Sequence, residues 1–295
     1  MTNTLAGPGP LIDVHAHFLH AGTGRRDWEA PNRARLRAGD RMGITTHVAS
    51  TLGTWGFTSP TYFPSPRDAS AGNDAMLELQ QREGTKVRIY VAVNPNETKH
   101  ALAEIDRCVA RGAVGIKLAA SRRADDPLLD PICELAAERG LPILHHIWQL
   151  RRHEWGGQEA SDGVELGRLA ARHPRVQFIL AHIGGGGDYA HTFTAVHDLP
   201  NVHLDLSGSG VDRMMLDDAL AGVGPQRLLW GCDVTMETGL AKLRALDIIG
   251  VTADGMTDIR WRNAARIFPK GTFPVLPAPW GEKVVAKSSP ARARA

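Results

Sequence analysis

The sequence is poor in cysteine, in aromatic residues and in net charge. Its 295 residues include three cysteines, three tyrosines and seven phenylalanines. Three widely spaced cysteines, Cys108, Cys133 and Cys232, exclude the disulfide framework of a small secreted domain and favour a reducing compartment. Lysines and arginines number 34 against 32 acidic residues. The resulting net charge of +2 is too small to indicate a nucleic-acid partner.

Long apolar runs are also missing. No stretch approaches the roughly 18 consecutive apolar residues of a membrane span. The N-terminal segment lacks the basic and then apolar order of a signal peptide. We therefore expect a cytoplasmic protein that binds neither membranes nor nucleic acid and whose partner is a small molecule.

The chain does have an ordinary globular composition and many histidines. Hydrophobic residues make up 43% and charged residues 22% of the sequence, which excludes a disordered, collagenous or coiled-coil chain. Thirteen residues are histidines. Because histidine is the commonest metal ligand and a frequent acid or base in catalysis, the positions of these histidines direct the search for a functional site.

Short β-branched apolar runs alternate with helical stretches along the chain. Most of these runs are continuously apolar, as in strands buried on both faces. Strands are predicted over residues 11–16, 44–49, 87–94, 113–118, 142–146, 176–182, 202–206 and 227–230. Helices are predicted between them, among others over 98–111, 131–139, 163–171 and 212–221.

Eight strand–helix units predict a single-domain α/β protein, a (β/α)₈ TIM barrel. We expect the barrel over residues 11–280, after an extension at 1–10 and before a disordered polar tail at 281–295. An open doubly wound sheet is the alternative, but no glycine-rich phosphate loop follows the first strand. Long irregular loops are predicted at 51–68 and 148–161, on the face where barrels build active sites.

Titratable side chains recur at the predicted carboxyl ends of four strands. In chain order they are His15 and His17, the adjacent His145 and His146, His182, and Asp233. His15 and His17 are two residues apart and so point to the same side of their strand. At most one of His145 and His146 faces the barrel interior. Three histidines and a carboxylate match a zinc site that keeps one position open for water.

Seven short motifs follow one another in a set order. They are Ile12-Asp-Val-His-Ala-His17, Gly115-Ile-Lys-Leu118, Leu141-Pro-Ile-Leu-His-His146, Ile179-Leu-Ala-His-Ile-Gly-Gly185, Asn201-Val-His-Leu-Asp-Leu-Ser-Gly208, Leu229-Trp-Gly-Cys-Asp233 and Asn263-Ala-Ala-Arg-Ile-Phe268. This set resembles the amidohydrolase-2 family, the branch of the amidohydrolase superfamily related to aminocarboxymuconate-semialdehyde decarboxylase and to several lactonases.

The resemblance implies a metal site and an acid–base residue. It implies one divalent metal ion, usually zinc, held by His15, His17, His146 and Asp233. It selects His146 over His145, because the family's ligand commonly stands four residues after the strand's proline. His182 resembles the histidine that hydrogen-bonds the metal-bound water or the substrate and serves in acid–base catalysis. The two adjacent histidines of the fifth strand depart from the single histidine that many relatives carry.

Lys117 stands where other branches of the superfamily carry a carboxylated lysine that bridges two metals. In this branch the lysine is not normally such a bridge, so the resemblance implies one metal ion rather than two. We expect a cationic group that binds an anionic substrate, with a buried ion pair as the alternative. Arg151, Arg152 and Trp148, in the loop after the fifth strand, are further candidate substrate-binding residues.

Three functions follow from this site. The leading hypothesis is metal-dependent hydrolysis of a small carboxylic ester, lactone or amide, in which Asp233 takes the proton of the attacking water and His182 orients that water. The alternative is metal-dependent, non-oxidative decarboxylation of a small carboxylic acid at the same site. A third hypothesis is a non-catalytic barrel that binds a small molecule. A homodimer is the expected assembly by frequency alone.

Overall fold

A ring of eight parallel strands forms the centre of the molecule. The computed structural model describes residues 9–51, 59, 62–147, 161–183, 189–208, 210, 212–234 and 236–274. The strands are β1 (Ile12–Phe18), β2 (Thr46–Thr51), β3 (Val87–Val93), β4 (Gly115–Leu118), β5 (Ile143–His145), β6 (Phe178–Leu180), β7 (Val202–Asp205) and β8 (Leu228–Leu229). They pair in chain order, and a parallel bridge from Ala16 to Asp233 brings β1 beside the end of β8. The predicted (β/α)₈ barrel is confirmed.

Helices follow the strands and pack around them. They are α1 (Glu29–Met42), α2 (Pro66–Glu83), α3 (Thr98–Val109), α4 (Asp130–Arg139), α5 (Gly163–Arg172), α6 (Tyr189–Val196), α7 (Arg213–Val223), α8 (Glu237–Ile248), α9 (Ala253–Thr257) and α10 (Asn263–Ile267), with one π-helical turn, Asp258–Arg262, between the last two. The four helices predicted by residue range are confirmed to within about two residues. No helix in the described ranges is both long and apolar enough to cross a membrane.

The loop predicted over 51–68 ends earlier than the sequence suggested. Pro66 begins α2, because the Ser65 hydroxyl accepts the Asp68 amide at 3.2 Å and caps the helix. Proline at the first helical position has no amide hydrogen that would need a partner. Of the predicted extension, 1–10, only Gly9 and Pro10 are described. The predicted tail, 281–295, lies outside the described residues.

Two apolar layers hold the barrel together. Alternate strand residues, such as Ile116, Ile143 and Phe178, pack outward in one cluster with the helices. Their neighbours, such as Leu144 and Ile179, form a second cluster inside the ring. In the described part of the chain, this inner cluster includes Ala264, Ile267 and Phe268 from α10 and the residue after it, so α10 covers one end of the barrel. Polar groups occupy the other end.

Candidate active site

The polar groups of the barrel interior lie at the carboxyl ends of the strands. β1 contributes His15 and His17, β4 contributes Lys117, β7 contributes Asp205, and Asp233 follows β8. His15 and Asp205 have no exposed surface, and Lys117 is 3% exposed. This is the end at which βα loops build active sites in barrels of this kind.

An irregularity in β1 turns both histidines inward. The pairing register with β2 shifts between Asp13 and Ala16, so that Val14 belongs to the inner apolar cluster and the next residue, His15, also faces the interior. Side chains satisfy the backbone groups at this bulge. Asp13 Oδ1 accepts the His15 amide at 3.2 Å, and the Tyr90 hydroxyl donates to the Val14 carbonyl at 2.7 Å. Strand bulges of this kind redirect side chains beside active sites.

Three donor atoms converge at this end of the barrel. His15 Nε2 lies 3.1 Å from His17 Nε2 and 3.8 Å from Asp233 Oδ1. His17 Nε2 lies 3.2 Å from the same carboxylate oxygen. All three atoms lie within 4.8 Å of one another, and they form the group of potential metal ligands found among the described residues. Their spacing matches ligands that share one ion with bonds of about 2.0–2.2 Å.

The hydrogen bonds on the far side of each imidazole fix its tautomer. His17 Nδ1 lies 3.1 Å from the Thr51 carbonyl oxygen, and His15 Nδ1 lies 2.7 Å from Asp205 Oδ2. Since these oxygens only accept, each Nδ1 must carry the proton. In the neutral imidazoles both Nε2 lone pairs therefore point at each other and at the Asp233 carboxylate. Three convergent lone-pair donors repel one another unless a cation lies between them, so the donor set fits a divalent metal ion.

Burial keeps the histidines in the form that binds metal. Desolvation lowers the pKa of His17 to about 4 and that of His182 to about 3, so both rings are neutral at pH 7. Burial alone would raise the pKa of Asp233, yet its contacts with His17 and its proximity to His15 and His182 hold that pKa well below the ordinary value. The site therefore combines neutral imidazoles with a carboxylate.

Lys117 places a cationic group within the donor set. Its Nζ lies 2.9 Å from His15 Nε2 and can donate to that lone pair. Burial lowers the pKa of Lys117 to about 8, although Asp233 and Asp205 favour its charged form. The side chain remains mostly protonated at neutral pH. No carboxylate among the described residues bonds this ammonium, and a buried ammonium in that state is a strong attractor for an anion.

His182 and His146 extend the site as a row of rings. The His182 ring centre lies 5.1 Å from that of His15 and 4.7 Å from that of His146. His182 Nδ1 faces Asp233 Oδ2 at 3.6 Å, while its Nε2 is buried with no hydrogen-bond partner among the described residues. His146 is not a member of the three-donor group, and its role as fourth ligand stays a prediction.

His145, the last residue of β5, and His146, which follows it, have different environments. Leu144 belongs to the inner cluster, so His146, two residues on, continues the inward-facing side. His145 lies between these two residues, and its Nδ1 contacts the His146 carbonyl oxygen at 2.9 Å. The alternation of side chains along the strand therefore supports His146, rather than His145, as the histidine that faces the candidate site. Arg151, Arg152 and Trp148 lie outside the described residues.

Asp205 is a site residue to which the sequence analysis gave no role. Its carboxylate accepts the His15 Nδ1 proton at one oxygen and the Ser207 amide at the other. The Ser207 hydroxyl lies 3.0 Å from the same imidazole nitrogen. Carboxylates that orient a metal-binding histidine from behind are typical of such sites. The motif around Asp205 was part of the resemblance, and an acid at the end of a buried strand was the available signal.

Solved structures with the same fold include several decarboxylases. 5-Carboxyvanillate decarboxylase LigW from Sphingomonas paucimobilis is 19% identical, with a TM-score of 0.66, and the match covers 88% of this chain and 98% of LigW. 2,6-Dihydroxybenzoate decarboxylase complexed with 2,6-dihydroxybenzoate is 18% identical, with a TM-score of 0.68 and coverages of 88% and 98%. Dihydroxybenzoic acid decarboxylase from Polaromonas sp. JS666, with bound manganese and the inhibitor 2-nitroresorcinol, is 17% identical, with a TM-score of 0.67 and coverages of 88% and 96%. At these identities the likeness establishes a common fold.

The family of this chain is established by its sequence. A search of curated proteins finds no match. The family model for the amidohydrolases matches residues 12–270, which include both β1 histidines, Lys117, His182 and Asp233. This match extends over most of the chain, and it agrees with the motifs and with the eight-stranded barrel. The chain belongs to the amidohydrolase family.

Proposed function

We propose that this chain is a metal-dependent carboxy-lyase that removes the carboxyl group of a small hydroxylated aromatic acid without oxidation. One observation carries the proposal: the buried ammonium of Lys117 lies 2.9 Å from His15 Nε2, within a convergent set of metal ligands. A cationic group beside a metal position favours an anionic substrate group such as a carboxylate. Structures of the same fold include decarboxylases of dihydroxybenzoate and 5-carboxyvanillate, which supports this reaction over hydrolysis.

In this proposal His15, His17 and Asp233 hold one divalent ion, and His146 is the fourth candidate ligand. Two imidazoles and a carboxylate suit zinc, which the family resemblance implies, and also manganese, which the Polaromonas decarboxylase contains. When bound, the ion supplies positive charge that polarises substrate oxygen atoms. With His15 Nε2 engaged as a ligand, Lys117 would lose the acceptor that it now contacts, and its ammonium would be available to the substrate carboxylate.

The reaction needs one proton on the carbon that loses its carboxyl group. The bond between this carbon and the carboxylate breaks, CO₂ leaves, and the electron pair stays on the carbon until a proton binds it. That proton comes from solvent, and we assign its relay to His182. Two observations support this role: its Nδ1 faces Asp233, and its buried Nε2 has no partner among the described residues. A neutral imidazole can accept a proton at one nitrogen and release one from the other.

Hydrolysis of an ester, lactone or amide is the second candidate. The contact between Asp233 Oδ2 and His182 Nδ1, at 3.6 Å, favours it, because this pair can take a proton from an attacking water molecule. The same residues would then stabilise an oxyanion rather than release CO₂.

The two reactions give different products, and the difference tests the proposal. We expect the purified protein, supplied with Zn²⁺ or Mn²⁺, to release CO₂ from at least one member of a panel of hydroxybenzoates. In D₂O each turnover should place one deuterium on the ring carbon that carried the carboxyl group. Chelator-treated protein is the control, and added metal should restore its activity. Acid release from a lactone panel, without CO₂ from any carboxylic acid, would contradict decarboxylation and support hydrolysis.

Asp205 gives a second test of the proposed metal site. Asp205→Asn should lower the affinity for Zn²⁺ about 10- to 100-fold, because the amide no longer orients His15 or supports its basicity as a carboxylate does. Chelator competition measures this affinity. Asp198→Asn is the matched control, since the Asp198 side chain is 98% exposed. Equal affinities in the two variants would contradict the role of Asp205.

A further inference from the structure

The candidate metal ligands lie on both sides of the join between the first and last strands. His15 and His17 belong to β1, and Asp233 follows β8. Among the described residues, the ring is joined here by one parallel bridge and by backbone hydrogen bonds from the Val14 amide to Trp230 and from the Asp233 amide to His15. β8 itself is only two residues long. Backbone pairing alone therefore gives the two sets of ligands little mutual support.

A buried carboxylate on the outer side of β1 strengthens this join. Asp13 has no exposed surface. Its Oδ1 accepts two backbone amides, that of His15 at 3.2 Å and that of Cys232 at 3.0 Å. One oxygen thus holds the backbone of a candidate ligand on β1 and that of the residue preceding Asp233. The second oxygen faces Arg35 Nη2 at 3.0 Å and His47 Nδ1 at 2.8 Å.

Arg35 of α1 completes the connection. It is 7% exposed, and its Nη1 donates to the carbonyls of Asp233 at 2.6 Å and Val234 at 3.1 Å. Asp233 has a φ of +58°, a left-handed conformation that costs free energy for a residue other than glycine. The planar guanidinium binds the Asp13 carboxylate with one nitrogen and these carbonyls with another. A lysine ammonium has a single nitrogen and cannot reproduce this two-nitrogen contact.

We infer that the Asp13–Arg35 ion pair is a positioning device for the metal site. Among the described residues its bonds reach the backbone of His15, Cys232, Asp233 and Val234 rather than the candidate donor atoms. It fixes the backbone of His15 and of Asp233 relative to each other and holds Asp233 in its left-handed conformation, so that the donor atoms on the two strands converge. The inference rests on the metal site of the proposed function.

The test compares two arginines of the same helix. Arg35→Lys keeps the positive charge but loses the two-nitrogen contact, whereas Arg33→Lys makes the same change at an exposed position that pairs with Glu29. We expect Arg35→Lys to lower the Zn²⁺ affinity of the metal-free protein about 10- to 100-fold in chelator competition, the range for lost supporting contacts. Amide hydrogen exchange at Cys232 and Asp233 should also be faster. Arg33→Lys should change neither quantity.

A purely structural role would give a different result. It would lower the thermal unfolding midpoint of Arg35→Lys and leave the Zn²⁺ affinity of the folded protein unchanged, and that outcome would overturn the inference. Asp13→Asn is the second variant, because the asparagine oxygen can still accept the two amides while the ion pair is lost. Unchanged affinity in either folded variant counts against the positioning role. A wild-type protein that binds no Zn²⁺ or Mn²⁺ overturns the proposed function, and this inference with it.

Discussion

Replacement of Asp233 by Asn is expected to lower kcat/KM by about 10²- to 10⁴-fold, the range for loss of a positioned acid or base. The variant loses the anionic member of the three-donor group and the carboxylate that faces His182. The fold should survive, because the barrel contacts of this residue use its backbone: its amide donates to His15 and its carbonyl accepts Arg35. Asparagine also tolerates the left-handed φ of +58° better than alanine does.

The experiment requires a fold measurement beside the rate. Circular dichroism and the thermal unfolding midpoint should match those of the wild type, while turnover and Zn²⁺ affinity fall. Asp254→Asn makes the same chemical change at a carboxylate that is 90% exposed, and it should have normal activity. Near-normal turnover in Asp233→Asn would remove this residue from the proposed chemistry, whatever the reaction.

Replacement of Lys117 by Met is expected to have the second-largest effect. Methionine keeps most of the aliphatic length and removes the ammonium that we propose binds the substrate carboxylate. Loss of one member of a buried, hydrogen-bonded charge pair costs about 2–5 kcal/mol. This range corresponds to a fall in kcat/KM of roughly 30- to 5,000-fold. The free energy of unfolding should stay constant or rise, because a buried ammonium is replaced by an apolar group.

Two comparisons isolate the charge of Lys117. Lys99→Met, at an exposed position of α3, should leave kcat/KM unchanged. In competitive inhibition, Lys117→Met should lose more affinity for carboxylate analogues of the substrate than for neutral ones, because the missing interaction is with the negative charge. Equal losses for charged and neutral compounds would indicate that Lys117 supports the site's structure rather than binding the carboxylate.

The sequence was sufficient for the architecture because the barrel's signals are local. Each predicted strand contains the observed one or overlaps most of it, since a buried parallel strand is a short apolar run bounded by polar or glycine residues. The boundaries of β6 and β8 were predicted too long. Ala181 and Trp230 continue the apolar runs of these strands, but the paired ladders with β7 end at Leu180 and Leu229. The pattern records burial, whereas a strand's end depends on its neighbour.

The candidate site was only partly predictable for the same reason. The spacing of His15 and His17 on one strand is a local signal, and the structure brings both to Asp233. The bonds from Asp205 to His15 and from Arg35 to Asp233 join residues 190 and 198 positions apart, and no short pattern encodes them. The bulge in β1 was also missed, because its backbone groups are satisfied by side chains from Asp13 and from Tyr90 on another strand.

The order of the donors along the chain has a consequence for synthesis in the cell. His15 and His17 leave the ribosome before Asp233, which follows more than two hundred residues later. A nascent chain that lacks β8 has two of the three donors and none of the negative charge that Asp233 contributes. With the proposed metal site, high-affinity loading would have to wait until the last strand joins the first, so metal capture would be a late event in biogenesis and a marker of a completed barrel.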